Sequence, residues 1–224
     1  MNTDSGNNAL TGRLISFEGL DGAGKTTQME LLEKWLAARN IPCIRTREPG
    51  GTALGVEIRE LLLHHPEYSM TPLAEAFLFQ ADRAQHFATL VLPALQAGKL
   101  VITDRCLDAS IAYQGYARGL DPALIERLSL LATQGHVPDL TILLDLNPAL
   151  VHARTDTAND ESGQREAQTR FDLEAEQFHR RVREGFLSLA RTYPNRIKVI
   201  DASQSPEEIH QEIVRLVEVL LAGR

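Results

Sequence analysis

Gly19-Leu20-Asp21-Gly22-Ala23-Gly24-Lys25-Thr26 satisfies the spacing G-x-x-x-x-G-K-[ST] in full, and Thr27 follows it. The chemistry of that spacing is phosphate binding. Glycines let successive backbone N–H groups converge on phosphate oxygens, and the N-terminus of the helix that follows adds positive potential. Residues 19–27 are therefore the candidate triphosphate-binding segment. Lys25 is placed to reach the β- and γ-phosphates, and the Thr26 hydroxyl is placed to ligate Mg²⁺. A second carboxylate-bearing strand end, Leu100-Val101-Ile102-Thr103-Asp104, has the form of a Walker B strand. Asp104 is a candidate Mg²⁺ ligand, directly or through water, with capping of the next helix as the plainer reading. Arg105 adds a cation at the same edge.

These groups need strands and helices to position them. Leu14-Ile15-Ser16-Phe17 reads as a buried strand before the glycine loop, and Met29, Leu31, Leu32, Trp35 and Leu36 recur at helical spacing after it. Further strands are expected at Cys43–Arg47, Lys99–Asp104, Leu140–Leu144 and Arg196–Ile200. Helices are expected at Ala53–His64, from Thr71 to about Gln96, and at Asp108–Tyr113 and Pro122–Gln134. Three more are expected, one starting at Pro148–Arg154, then Phe171–Tyr193 and Pro206–Leu221. Repeated strand–helix units imply a parallel sheet with helices on both faces. The expected fold is α/β, a three-layer P-loop NTPase with a five-stranded parallel sheet and a lid segment. Residues 1–12 read as a flexible tail and 13–224 as one domain.

Composition narrows the function classes. The chain has 224 residues and 43% hydrophobic content, enough for a core. A net charge of −7 argues against a nucleic-acid surface, which would need clustered Lys and Arg. No apolar run reaches membrane-spanning length. Cys43 and Cys106 have no metal-ligand spacing and read as reduced thiols, so a cytoplasmic setting is expected. The seven histidines do not cluster as ligands.

Seven segments appear in one order across nearly the whole chain: FEGLDGAGKTT (17–27), TREPGG (46–51), FLFQADRAQH (77–86), TDR (103–105), SIAYQGYARG (110–119), PDLTILLDL (138–146) and RFDLE (170–174). Together they resemble the thymidylate kinase family, P-loop enzymes that phosphorylate dTMP to dTDP with ATP and so supply dTTP synthesis. AYQGYARG is similar to the bacterial branch. The resemblance implies Mg²⁺ as cofactor, ATP and dTMP as ligands, and a homodimer. It implies that Arg47, Arg59 and Arg105 hold the acceptor phosphate, as bidentate guanidinium groups suit a dianion. Glu57 and Glu60 offer Arg59 local partners instead. By the same resemblance Phe79 stacks on thymine and Arg83 bonds a pyrimidine carbonyl oxygen; the two are an i,i+4 pair on one helix face. Ser110 and Gln114 lie beside base and sugar, and Asp21 contacts the sugar hydroxyl or orders nearby cations. Tyr113 and Tyr116 either wall the pocket or pack the core.

Residues 155–169 (TDTANDESGQREAQT) are polar and without apolar periodicity. They read as a solvated loop or, in this fold, as a lid at about 155–170 that closes over phosphates. Asp21 stands where one branch of the family carries a P-loop arginine. The transfer cation beyond Lys25 and Arg105 is then expected from Arg154, Arg165 or Arg170. Arg170 also has Asp172 and Glu174 as possible structural partners. The apolar residues Leu90, Val91, Leu92 and Leu95 suggest a two-fold interface along the helix from Thr71, with core packing as the alternative.

Overall fold

The structure is a computed structural model that describes residues 11–65, 67–149, 169–171 and 174–223. Its elements run β1 (Arg13–Gly19), α1 (Lys25–Ala37), β2 (Cys43–Arg47), α2 (Ala53–Leu63), α3 (Pro72–His86) and α4 (Leu92–Gln96). They continue with β3 (Leu100–Asp104), α5 (Leu107–Ser110), α6 (Pro122–Ala132), β4 (Leu140–Asp145), α7 (Glu176–Thr192), β5 (Ile197–Asp201) and α8 (Pro206–Ala222).

The sheet order is β2-β3-β1-β4-β5, and every pairing is parallel. Buried parallel strands read as continuous apolar runs, as Leu100–Ile102 and Ile142–Leu144 do. Pleating sends alternate residues to opposite faces. Leu14 joins a core formed with α2, α3, α6 and α7, whereas Ile15 and Phe17 join a second core with α1 and α8. Two cores on one sheet give the three expected layers. Register lines up Phe17, Asp104 and Arg47 at the carboxyl edge. That edge is where ligands bind in open α/β sheets.

Thr52 caps α2 through Gly55 N–H and Thr71 caps α3 through Ala74 N–H, while Ser205 and Glu208 form a full capping box on α8. Helix α1, like α4, α5 and α7, has no side-chain cap. Its N-cap is Gly24, at φ 93°. The first N–H groups of α1 are thus left for an external acceptor.

The helix expected from Thr71 to Gln96 contains a π turn at Phe87–Val91 between α3 and α4. Pro93 explains the wider turn, since it has no N–H to return to the preceding turn and its ring crowds that carbonyl. A second π segment, Ile111–Ala117, extends α5, so the helix expected to end at Tyr113 continues to Ala117. The helix expected from Phe171 starts at Glu176. Gly12, expected in a flexible tail, is buried and donates to Leu95 O at 2.9 Å. The helix beginning at Pro148 lies mostly outside the described residues. Val91, Leu92 and Leu95 are buried in the core and Leu90 packs against it, so this stripe is interior and not a subunit face. Among the described residues no helix is long and apolar enough to cross a membrane.

Candidate active site

The glycine loop joins β1 to α1 at the carboxyl edge of the sheet. Lys25 is nearly buried, and its ammonium points back along the loop to Leu20 O at 3.1 Å and Gly19 O at 3.4 Å. Asp21 Oδ1 lies 3.5 Å from the same nitrogen and accepts from Arg105 Nη2 at 2.7 Å. Desolvation works against ionising Asp21, but Arg105 and then Lys25 outweigh it and hold the carboxyl well below the usual range. Two cations at the phosphate loop are therefore matched by one carboxylate.

Arg105 sits at φ 67°, a left-handed conformation unusual for a side-chain-bearing residue. This backbone turns the guanidinium onto the loop, where Nη1 donates to Gly19 O at 3.2 Å and Nη2 to Tyr113 Oη at 3.2 Å. Tyr113 in turn meets Phe171, Phe178 and Phe186 edge to face. It thus packs the core and meets Arg105 at once, where the sequence had left packing and walling a pocket as alternatives.

Arg47 and Arg59 converge over the turn at Gly50. A Cβ placed on Gly50 would lie 3.6 Å from Arg47 Nε and 3.0 Å from Arg59 Cδ. Gly50 also holds φ 110°, so glycine serves the backbone and the close approach at once. Arg59 Nη1 donates to Pro49 O at 3.0 Å, and Glu48 N–H donates to Asp104 O at 2.8 Å. The second bond ties this turn to the strand end that carries Arg105. Arg47 and Arg59 thus meet at Gly50, while Arg105, from a third element, lies on the phosphate loop.

Arg83 is buried at 1% exposure and fully engaged. Its Nε donates to Glu48 Oε2 at 2.8 Å, Nη1 to Gln80 Oε1 at 2.8 Å and Ser110 Oγ at 3.0 Å, and Nη2 to Cys106 O at 3.0 Å. Glu48 also pairs with His86 Nδ1 at 2.9 Å. Burial opposes its charge, but Arg83 and His86 hold Glu48 below the ordinary carboxylate range. Phe79, one helical turn before Arg83, is half-buried and 6.2 Å from Phe171. Gln114 Nε2 donates to Glu75 Oε1 at 2.8 Å.

Arg170 does not stand free in a lid. Its backbone N–H bonds Leu63 O at 2.8 Å, its Nε bonds Leu62 O at 3.0 Å, and Nη2 lies 2.8 Å from Glu75 Oε2. Glu174, one local partner the sequence offered it, pairs with Arg118 instead. Arg154, Arg165 and residues 155–168 lie outside the described residues.

Four carboxylates that sequence reasoning missed prove to organise the site: Glu18, Glu48, Glu75 and Asp82. Glu18 gives one oxygen to Cys106 N–H at 2.8 Å and keeps the other buried without a partner. Burial and then Asp108 push its carboxyl well up, against the pull of Arg105. Asp82 Oδ1 accepts from Gly50 N–H at 3.0 Å. Glu48, Glu18 and Asp82 lie inside TREPGG, FEG and FLFQADRAQH, which was the available signal for them; Glu75 lies outside every such motif.

Asp104 Oδ1 is buried and has no partner, and Thr26 stands exposed at the start of α1. Two such oxygens fit Mg²⁺, which is held by few protein groups plus phosphates and water. Among the described residues no group of three or more His, Cys, Asp or Glu is gathered for a metal. That suits a cation sharing its shell with a nucleotide.

A parallel sheet ending in an uncapped glycine-loop helix, with a carboxylate at the neighbouring strand end and arginines over the cleft, defines a P-loop nucleotide kinase. The thymidylate kinase family model matches residues 17–213. The thymidylate kinase of Clavibacter sepedonicus is 50% identical over 217 residues, covering 96% of this chain and 98% of that one. That of Carboxydothermus hydrogenoformans is 47% identical over 211 residues, covering 94% and 99%. The crystal structure of thymidylate kinase from Ehrlichia chaffeensis superposes with a TM-score of 0.72 at 34% identity, covering 92% of this chain and 98% of that one. The chain belongs to the thymidylate kinase family.

Asp82 yields a pH prediction. Burial and then Glu48 raise its carboxyl to about 6, against the Gly50 N–H bond. The folded state therefore holds the proton more tightly than the unfolded chain, and stability falls as pH rises from about 4 through 6. Asp82→Asn keeps an acceptor for Gly50 and removes the titration. Urea unfolding from pH 4.5 to 7.5 should show the variant gaining on the parent by about 2 kcal/mol. A pH-independent difference between the two would remove this account of Asp82.

Proposed function

We propose that the cleft carries out ATP + dTMP → ADP + dTDP, the reaction of its family, with residue roles as follows. ATP phosphates lie on residues 19–27, and Lys25 leaves its carbonyl contacts to meet the β- and γ-oxygens. The dTMP phosphate is held by Arg47, Arg59 and Arg105. Phe79 stacks on the base, and Arg83, Ser110 and Gln114 line its polar edge. Asp21 contacts the sugar hydroxyl. The observation that carries the reading is Arg105 lying on the loop of a P-loop helix without a side-chain cap, with Arg47 and Arg59 paired over the turn at Gly50 that Glu48 ties to Asp104; this supports provision for two phosphate groups and not one.

An ionised dTMP oxygen is already a nucleophile, so the protein supplies position and charge rather than a general base. Lys25 neutralises the triphosphate, and Arg105 spans the loop and the acceptor. Asp104 and Thr26 would hold Mg²⁺, which supplies charge neutralisation between the β- and γ-phosphates. A single domain over 13–224 with a lid near 155–170 completes the reading. The free thiols of Cys43 and Cys106 support a cytoplasmic setting. The site is not one for nucleic acid, as the net charge of −7 supports.

A homodimer belongs to the same reading, now with a different surface. Leu73 and Phe77 on α3 are 43% and 53% exposed, beside exposed Leu54, Val56 and Leu61 on α2. Large apolar side chains clustered on neighbouring helices suit a self-complementary contact. Light scattering at micromolar concentration should give twice the 24.8 kDa chain mass. Phe77→Glu should shift it to monomer, and a monomeric parent would refute the dimer.

The direct test is a monophosphate panel with ATP and Mg²⁺, read as ADP release, in which dTMP should lead. Lys25→Ala should stay folded and lose at least about 10²-fold in kcat. Near-parental turnover in folded Lys25→Ala protein would sink the assignment.

The transfer cation is expected from Arg154 or Arg165, because Arg170 is committed to Glu75 and α2. One of Arg154→Ala and Arg165→Ala should lower kcat several hundred-fold, on the roughly 10³-fold scale of arginine fingers, with modest change in KM. Arg170→Ala should instead lower the melting temperature. A several-hundred-fold kcat loss in Arg170→Ala at unchanged stability would return the role to Arg170.

A further inference from the structure

We infer that Glu75 sets the base preference of the acceptor site by fixing which end of the Gln114 amide faces the base. The inference rests on the reading of Gln114 as part of the base pocket. Glu75 is fully buried at 0% exposure, and the Gln114 side chain is 1% exposed. A carboxylate only accepts hydrogen bonds, so the amide end that meets Glu75 Oε1 at 2.8 Å must be nitrogen. Gln114 Oε1 is thereby turned away from Glu75, and it is buried with no partner. A buried acceptor without a donor is costly unless a ligand supplies one.

The surroundings leave Gln114 no freedom to flip. Arg118 reaches Glu75 at 3.2 Å and Arg170 at 2.8 Å. Both neighbours are guanidinium groups, which carry donors only, so no acceptor among them competes for Gln114 nitrogen. Ser110, four residues before Gln114 on the same helical segment, already accepts from Arg83. The segment therefore presents one acceptor still in want of a donor.

Pyrimidine bases differ at that point. Thymine and uracil carry N3–H, a donor, between two carbonyl oxygens. Cytosine carries a lone pair at N3 and an amino group at C4. A fixed Oε1 rewards the first pattern and repels the second. A freely flipping amide would serve both, since its NH₂ end can face a lone pair. Glu75 is thus a positioning residue that touches neither base nor phosphate and acts through Gln114.

The test compares dissociation constants for dTMP and dCMP by competition in the full-length protein. Glu75→Gln lets the partner side chain donate as readily as accept, so Gln114 is no longer held in one orientation. The ratio of dCMP to dTMP dissociation constants should fall about tenfold or more, while ATP affinity stays at the parental value. Glu75→Asp keeps an acceptor-only group and should retain most of the ratio. Folded Glu75→Gln protein with the parental ratio would overturn the inference. If Glu75→Gln does not fold, a structure of the parent with dTMP decides. Gln114 nitrogen on Glu75 and oxygen on N3 supports the inference, and the reverse overturns it. A separate control uses dTMP methylated at N3. If the parent binds it as tightly as dTMP, Gln114 does not read N3–H, and it is the underlying reading of the pocket that fails.

Discussion

A guanidinium withdrawn from bulk water has to be matched by a carboxylate or by an anionic ligand, because the desolvation cost of an isolated charge exceeds what a fold can absorb. The side chains around the glycine loop and α3 are arranged to meet that requirement. Arg105 is matched by Asp21, Arg83 by Glu48, and Arg118 and Arg170 by Glu75. Each carboxylate comes from a different element, so the pairs also stitch the elements together. Glu48 leaves the end of β2 to meet α3, and Glu75 on α3 meets the segment after α5 and the stretch before α7. The pairs that neutralise these buried cations are the same ones that join the elements around them.

The pairs differ in what a ligand can do to them. Asp21 is half exposed and Arg105 is 15% exposed at the mouth of the phosphate loop, so an incoming anion can reach both. Arg83 and Glu48 are 1% and 2% exposed. They form a fixed frame, held further by His86, whose other nitrogen meets Thr46 at 2.8 Å. A site with a partly exposed pair at the glycine loop and a buried pair beside α3 can admit charge at the first without losing the shape held by the second.

Much of the architecture was legible because it is written locally. The glycine loop, the β-strand runs and the Thr71-Pro72 helix start each depend on neighbours in sequence, and each appears where expected. The arginines were legible through their motifs. Their carboxylates were not, since Glu48 with Arg83 and Glu75 with Arg170 are contacts between distant segments that no local spacing encodes. Arg170 shows the gap this leaves: Glu174 was near in sequence, but it is Glu75 that meets Arg170 in space. The stripe at Leu90–Leu95 misled for a related reason. Apolar periodicity marks a buried face without saying whether the core or a second subunit buries it. The π turn at Phe87–Val91 had a visible cause in Pro93, though proline alone does not choose between a kink and a widened turn.

Arg105 occupies a left-handed backbone position at φ 67° and also supplies a forked cation to the P-loop. The two demands pull toward different amino acids. Glycine would relieve a strain of roughly 1 kcal/mol and surrender the charge. Asparagine tolerates the backbone but brings no cation. Lysine keeps both the strain and the charge, and loses the planar fork that reaches Gly19 O, Asp21 and Tyr113 together. Arginine carries the same strain as lysine and keeps the fork, so its side chain holds this position against its backbone preference. A substitution that relaxes the backbone therefore releases Gly19, Asp21 and Tyr113 at one stroke, and the cost of losing Arg105 is read in the packing of the loop as much as in its charge.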